Sequence, residues 1–169
     1  APLTGDVAFY GIGVNYSSEI AVDEIKSAGG VLGRQVVYKC LDKKGDPPEA
    51  VQAYNQLMDE GMMVLMGDVT TGPTIAVAQK AAQDGIPMIT PTGTGASITE
   101  TGENIFRVCF TAPFQGELLA DYAYNVLGAQ TAAVPYDTGD AYPSGTAATF
   151  EAKPADRGLD ITPTEGHPT

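Results

Sequence analysis

Histidine, cysteine, basic residues and long apolar runs are all scarce in this chain, and each scarcity removes a class of function. The one histidine, His167, lies in the proline-rich stretch TPTEGHPT, where it reads as a solvated tail residue, so no serine-hydrolase triad can be assembled around it. The two cysteines, Cys40 and Cys109, form neither a CxxC pair nor a metal-ligand spacing. They read as buried packing residues in separate predicted strands. Nucleotide motifs are missing as well: YGIGVNY supplies Gly11 and Gly13 but puts Tyr16 where a third glycine belongs, and no lysine follows a glycine loop in the P-loop manner. Neither a cofactor, a metal nor an enzymatic activity is expected from such a set.

Only 9 Lys and Arg stand against 21 Asp and Glu, for a net charge of −12, and the longest basic run is Lys43–Lys44. Phosphate backbones and anionic lipids repel such a chain, so nucleic-acid and membrane-surface partners are not expected. Acidic pairs such as Asp23–Glu24 and Asp59–Glu60 fall on predicted helix surfaces. The longest apolar run, 62–66, is of strand length and far below the about 20 residues that span a bilayer. APLTGDVAFYGIG, at the start, has no basic stretch followed by an apolar one, and no signal peptide is read there.

What is present is an alternation of helix and strand patterns. At 169 residues, 43% of them hydrophobic, the chain suits one ordinary core and is short for two complete domains. YSSEIAVDEIKSAGG places Ile20, Ala21, Ile25 and Ala28 on one helical face and stops at Gly29–Gly30. A strand is expected over 34–42 from its β-branched and aromatic content. DPPEAVQAYNQLMDEG has Asp46 as N-cap, prolines at the first two helical positions, Glu49 at the capping-box position and Gly61 at the end. Its core face comprises Ala50 or Val51, Tyr54, Leu57 and Met58.

Strands follow over 62–66, 86–90, 105–110 and 131–137, with helices over about 73–83 and about 113–127 between them. Apolar strands alternating with helices of about 10–15 residues specify an α/β, doubly wound, mostly parallel sheet with helices on both faces. In that class ligands bind at the carboxyl ends of the strands. Two loops rich in hydroxyls and glycine, 67–71 and 91–97, sit at such ends. The first leads into a helix whose leading N–H groups attract anions. The alternative is that Thr71 merely N-caps that helix and the glycines merely make turns.

APLTGDVAFYGIG, AVDEIKSAGGVLGRQV, KKGDPPEAVQAYNQLMDEG, GDVTTGPTIAVA, GIPMITPTGTGASIT and FRVCFTAPFQG occur in this order. In order and spacing they resemble the periplasmic binding proteins of ABC transporters, specifically the branched-chain amino-acid binding family of the type I Venus-flytrap fold. The resemblance spans residues 1 to about 131 and continues more weakly to about 150. It implies an N-terminal ligand-binding lobe over 1–131, and a crossover with the beginning of a second lobe over 132–169. The family's apolar first strand, expected just before APLTG, and most of the second lobe are missing from the sequence.

By that resemblance the ligand's carboxylate falls at Thr71 and Gly72, and its ammonium at Thr92 and Thr94. A tyrosine of the first βα loop falls on Tyr10, and another, past the crossover, on Tyr142 in DTGDAYPSG. The implied function is binding of a small amino acid, of branched-chain type, between two lobes. The implied partner is an ABC transporter permease and the implied location periplasmic or cell-surface. The alternative is a ligand sensor or self-assembling module that keeps the fold without transport, self-association following if another chain supplies the missing strand. Pro135, Pro143 and Pro154 interrupt the regular pattern of the terminal segment.

Overall fold

The computed structural model of the chain describes residues 1–153, 158–162 and 166; Pro154 and His167 lie outside the described residues. The elements run α1 (Ala8–Ser27), α2 (Pro47–Asp59), β1 (Leu65–Met66), α3 (Thr71–Asp84), β2 (Met88–Thr90), a 3-10 turn (Ala96–Ile98), β3 (Ile105–Arg107), α4 (Ala112–Asn125), β4 (Thr131–Ala132), α5 (Ala141–Ala152) and β5 (Asp160–Ile161). Strands β1, β2 and β3 form a parallel sheet in that order, with Leu65 opposite Met88 and Met88 opposite Ile105. A parallel pair needs a crossover, which α3 supplies between β1 and β2. A second parallel pair joins β4 to β5.

The core lies where α2 and α3 meet the sheet. Ala50, Tyr54, Val77, Ala78, Ala81, Met88, Ile98 and Ile105 form one buried cluster. Alanines at 78 and 81 let α3 approach closely, and both are fully buried. Tyr54 packs its ring there and donates its hydroxyl to Asp84 Oδ2 at 2.9 Å, tying α2 to the end of α3. Burial, and then Asp84 beside it, hold the Tyr54 phenol above its ordinary pKa, so it remains a neutral donor. Met58 packs against this cluster from the helical face that Ala50 and Tyr54 define.

Several sequence expectations are corrected. Residues 34–42 form no strand: after a single antiparallel bridge between Val31 and Arg34 the backbone is extended but unladdered, and Val37 is 91% exposed. A strand needs a neighbour to take its N–H and C=O groups, and β-branched composition alone does not provide one. Helix α1 begins well before the YSSEI stretch, because Ala8 and Tyr10 N–H groups bond back to Gly5 and Val7. The apolar face expected on it is not core. Ile20 is 62% exposed, and the buried residues of α1 are Gly11 and Ser18.

Asp46 does N-cap α2, with prolines in the first turn, but its side chain makes no capping bond. The capping box is not formed, since Glu49 turns to Lys44 at 3.3 Å. The paired strands are shorter than their apolar runs: ladders end at Arg107 and at Ala132, and Pro135 lies beyond the second. Cys40 and Cys109 are free and half-buried rather than fully buried, and both lie outside the paired strands.

The start of the chain is tied to the segment before α2. Asp42 Oδ1 accepts N–H bonds from Leu3 (2.8 Å), Thr4 (3.3 Å) and Lys44 (3.0 Å), and its other oxygen accepts the Thr4 hydroxyl. Burial would raise the Asp42 pKa, but these bonds outweigh it and bring the value from 3.8 down to about 2. A carboxylate with a depressed folded pKa stabilises the fold above its unfolded value, and that contribution disappears as pH falls through the folded one. Urea midpoints of the chain and of Asp42→Asn are therefore expected to differ by a constant amount above about pH 5 and by progressively less from there down towards about pH 2. A gap that stays constant down to that pH contradicts the clamp.

Candidate functional site

The carboxyl ends of β1 and β2 are stitched together by threonine hydroxyls. Thr90, fully buried at the last position of β2, donates its hydroxyl to Asp68 O at 2.6 Å and accepts the Gly93 N–H at 2.9 Å. Thr92 Oγ1 donates to Val69 O at 2.6 Å. The loops 67–71 and 91–97 therefore form one surface, in which Thr71 Oγ1 and Thr94 Oγ1 lie 3.3 Å apart. Arg107 Nη1, from the end of β3, donates to Gly95 O at 2.7 Å, and Ala112 N–H donates to Thr94 O at 2.8 Å.

Thr71 is not the N-cap of α3. It is the first helical residue, and Thr70 is the N-cap, with no side-chain capping bond. Thr74 N–H closes the first turn on Thr70 O at 3.0 Å, and Pro73 has no N–H. The leading N–H groups without an intrahelical partner are thus those of Thr71 and Gly72. Gly72 has an ordinary helical φ, and a Cβ built on it meets nothing within 4 Å. Neither backbone strain nor packing demands glycine there, and the space beside the helix start is open.

The chemistry available is that of neutral hydrogen bonds. If one hydroxyl of the Thr71–Thr94 pair donates to the other, one hydroxyl proton is left to donate elsewhere, beside two free N–H groups; together they suit a carboxylate. Thr92 has committed its proton to Val69, so it presents lone pairs, which suit an ammonium. Cys109 lies near this surface, its Sγ 3.5 Å from Gly93 O, and burial holds its thiol above the ordinary pKa, against the opposing pull of Arg107. Among the described residues no cluster of His, Cys, Asp and Glu could hold a metal, and no helix is long and apolar enough to cross a membrane.

The two tyrosines come from helices and make no hydrogen bond to the threonines. Tyr10 lies on the first turn of α1, not in a loop, its ring centroid 3.8 Å from that of Phe9 and tilted 34° to it. It lines an open cavity of about 500 Å³ together with Val14, Ser18, Met66 and Pro91. That cavity is mostly apolar, and Thr71, Thr92 and Thr94 do not line it. Tyr142 lies on the first turn of α5 and donates its hydroxyl to Gln115 Oε1 of α4 at 3.1 Å. Sequence reasoning missed Thr90, Gly95, Arg107 and the pair Lys43–Asp68. Asp68 sits inside the GDVTTG motif, and only its burial reveals that it is not surface acid.

A parallel α/β layer with a polar, uncapped helix start at its carboxyl edge is the arrangement of a ligand-binding lobe. Comparison with known proteins places it. The periplasmic binding protein family matches residues 1–169. A Leu/Ile/Val-binding protein homolog from Brucella melitensis is 41% identical over 153 residues, covering 90% of this chain and 41% of that protein. A leucine-, isoleucine-, valine-, threonine-, and alanine-binding protein from Pseudomonas aeruginosa is 30% identical over 166 residues, covering 98% of this chain and 44% of the relative. Among solved structures, a leucine-binding protein LivK from Thermotoga maritima superposes with a TM-score of 0.91 at 30% identity, over 99% of this chain and 47% of that one. The substrate-binding protein LivJ from Streptococcus pneumoniae, in complex with isoleucine, gives 0.90 at 27% identity with the same coverage.

The chain belongs to the periplasmic binding protein family, and its fold is that of a type I periplasmic-binding-protein lobe. That family is one of solute-binding proteins, not enzymes. The chain spans less than half the length of these relatives, at 41% and 44% of the two sequences above.

Gly95 sets how closely the two loops approach, because a Cβ there would lie 2.8 Å from Thr71 Cγ2. Gly95→Ala is expected to push Thr71 aside and lower stability by about 1–3 kcal/mol. Gly72→Ala is expected to hold or raise it, by up to ~1 kcal/mol, since alanine suits a helix better. Urea unfolding of both variants checks the contrast; equal losses would show that the Thr71–Gly95 contact is not tight.

Proposed function

We propose that this chain forms the first lobe of a solute-binding protein that takes a free amino acid of branched-chain type and presents it to an ABC transporter permease. The observation that carries the reading is the Thr71–Thr94 hydroxyl pair beside the two free N–H groups at the start of α3. The amino acid's carboxylate sits at Thr71 and Gly72, where charge-assisted bonds and the helix dipole favour an anion. Its ammonium sits against Thr92 and Thr94. Tyr10 and Tyr142 border the aliphatic part, Tyr142 exchanging its bond to Gln115 for a contact with ligand. Residues 1–131 act as this lobe and 132–169 as the crossover towards a second.

The relatives support the solute class, since both names quoted above include leucine, isoleucine and valine, the Pseudomonas protein's adding threonine and alanine. The location that follows is the periplasm or the outer cell surface. Closure of an opposing lobe expels water and strengthens each polar contact, so one lobe alone binds weakly.

NMR titration reads weak binding directly. L-leucine, L-isoleucine and L-valine, raised to about 20 mM, are expected to shift the Thr71 and Gly72 amides with saturation in the millimolar range, about −4 kcal/mol. Thr71→Ala is expected to weaken that response about tenfold, as for one lost bond to a charged group. Absence of any shift at these amides with all three amino acids would sink the reading.

A further inference from the structure

Lys43 is the least expected feature near the site. Its side chain is 1% exposed, with Nζ 3.0 Å from Asp68 Oδ2 and 2.8 Å from Thr70 Oγ1. Asp68 is itself buried, and its other carboxylate oxygen accepts the Val69 N–H at 2.5 Å. Burial pushes the Lys43 ammonium down from its ordinary pKa, and Asp68, Asp46 and Asp42 oppose that push. A buried ion pair is weak evidence for stability, because desolvation offsets the attraction. What it does to Thr70 is the more specific effect.

Threonine at an N-cap ordinarily turns its hydroxyl back to accept an N–H from the second or third helical residue. In α3 the third residue is Pro73, which has none, so the one such partner for Thr70 is Gly72 N–H. That is the group the proposed ligand carboxylate needs. The Thr70 backbone, at φ −101° and ψ 149°, is extended as at an ordinary N-cap, yet its hydroxyl accepts from the Lys43 ammonium, which Asp68 anchors.

We propose that Lys43 is a positioning residue: it withholds the Thr70 hydroxyl from its own helix and so keeps the Gly72 N–H free for ligand. The inference rests on the amino-acid reading above for its consequence, and on the Lys43–Thr70 contact for its mechanism. Lys43 itself touches no ligand. Asp68 acts through Lys43, and the site gains an open donor without placing a cation beside the carboxylate.

The test separates this role from support of the fold. Lys43→Met alone strands a buried carboxylate, so the charge-neutral double variant Lys43→Met/Asp68→Asn is used, with and without Thr70→Val. In the ligand-free double variant, hydrogen exchange at the Gly72 amide is expected to slow about fivefold as Thr70 caps it, and adding Thr70→Val is expected to restore the fast rate. Leucine affinity is expected to fall about tenfold in the double variant and to recover to within about threefold in the triple. A merely structural pair would give no recovery on adding Thr70→Val, and that result overturns the proposal. So does unchanged Gly72 exchange in the double variant.

If the double variant fails to fold, Thr70→Val in the otherwise unaltered chain decides. Gly72 exchange is expected to stay within about twofold, because Thr70 is not capping; acceleration beyond that overturns the proposal. If no amino acid shifts the unaltered chain, the functional reading has failed, and the exchange measurements still judge the Lys43 contact.

Discussion

The hydroxyl of Thr90 is the group on which the geometry of the site depends. It is buried at the end of a short strand, where β2 stops and two loops must leave the sheet with their backbone polar groups satisfied. By donating to Asp68 O and accepting from Gly93 N–H, it closes one bond in each loop with a single atom. Thr92 repeats the bridge one step outward by donating to Val69 O. Once both bridges are made, the separation of Thr71 and Thr94 is no longer free, and glycine at 95 is what lets them come to 3.3 Å. Four threonines with the same side chain thus do different work: two fix the backbone and two are left facing each other.

The electrostatics of this surface run against the composition of the chain. A net charge of −12 would repel a simple anion, yet a zwitterion carries no net charge and is recognised by the arrangement of donors and acceptors. The donors aimed at the proposed carboxylate are N–H and O–H groups, which lose little when the site is empty because water can serve them. A bare lysine in the same place would attract carboxylates and phosphates without discrimination. The nearby lysine is instead tied to Asp68 and to a hydroxyl, and that pairing offsets its charge.

The fold class, the order of helices and strands from α2 to β4, and the location of the loops at strand ends were legible because periodicity and capping residues are local signals. Helix α2, with Asp46, its prolines and Gly61, is the clearest case. Residues 34–42 failed for the opposite reason: strand identity is a property of a pair, and no local pattern reports the partner. The apolar face of α1 was misread likewise, since Ile20 and Ile25 have the spacing of a core face but the described residues place no layer against them. In the site, Thr71, Thr92 and Thr94 could be named from motif and position. Thr90, Gly95 and Lys43 could not, because their roles consist of contacts between loops separated by 20 or more residues in most cases.

The candidate residues also divide by how firmly they are held. Thr71 is buried on α3, whose other face belongs to the core cluster with Tyr54 and Met88, and Thr94 is buried in a loop pinned by Arg107 and by the α4 start. Tyr10 and Tyr142 lie instead on first turns of helices that bury few residues, Gly11 and Ser18 for α1 and Ala147 for α5. Local opening is cheapest where few apolar contacts must be broken. A ligand with two constant polar ends and a variable aliphatic part suits such a division, since the constant groups need donors preset to within a fraction of an ångström. In the proposed complex the variable part would face aromatic side chains on elements that can shift, so tolerance among aliphatic side chains and strictness towards the amino-acid head group would follow from one lobe.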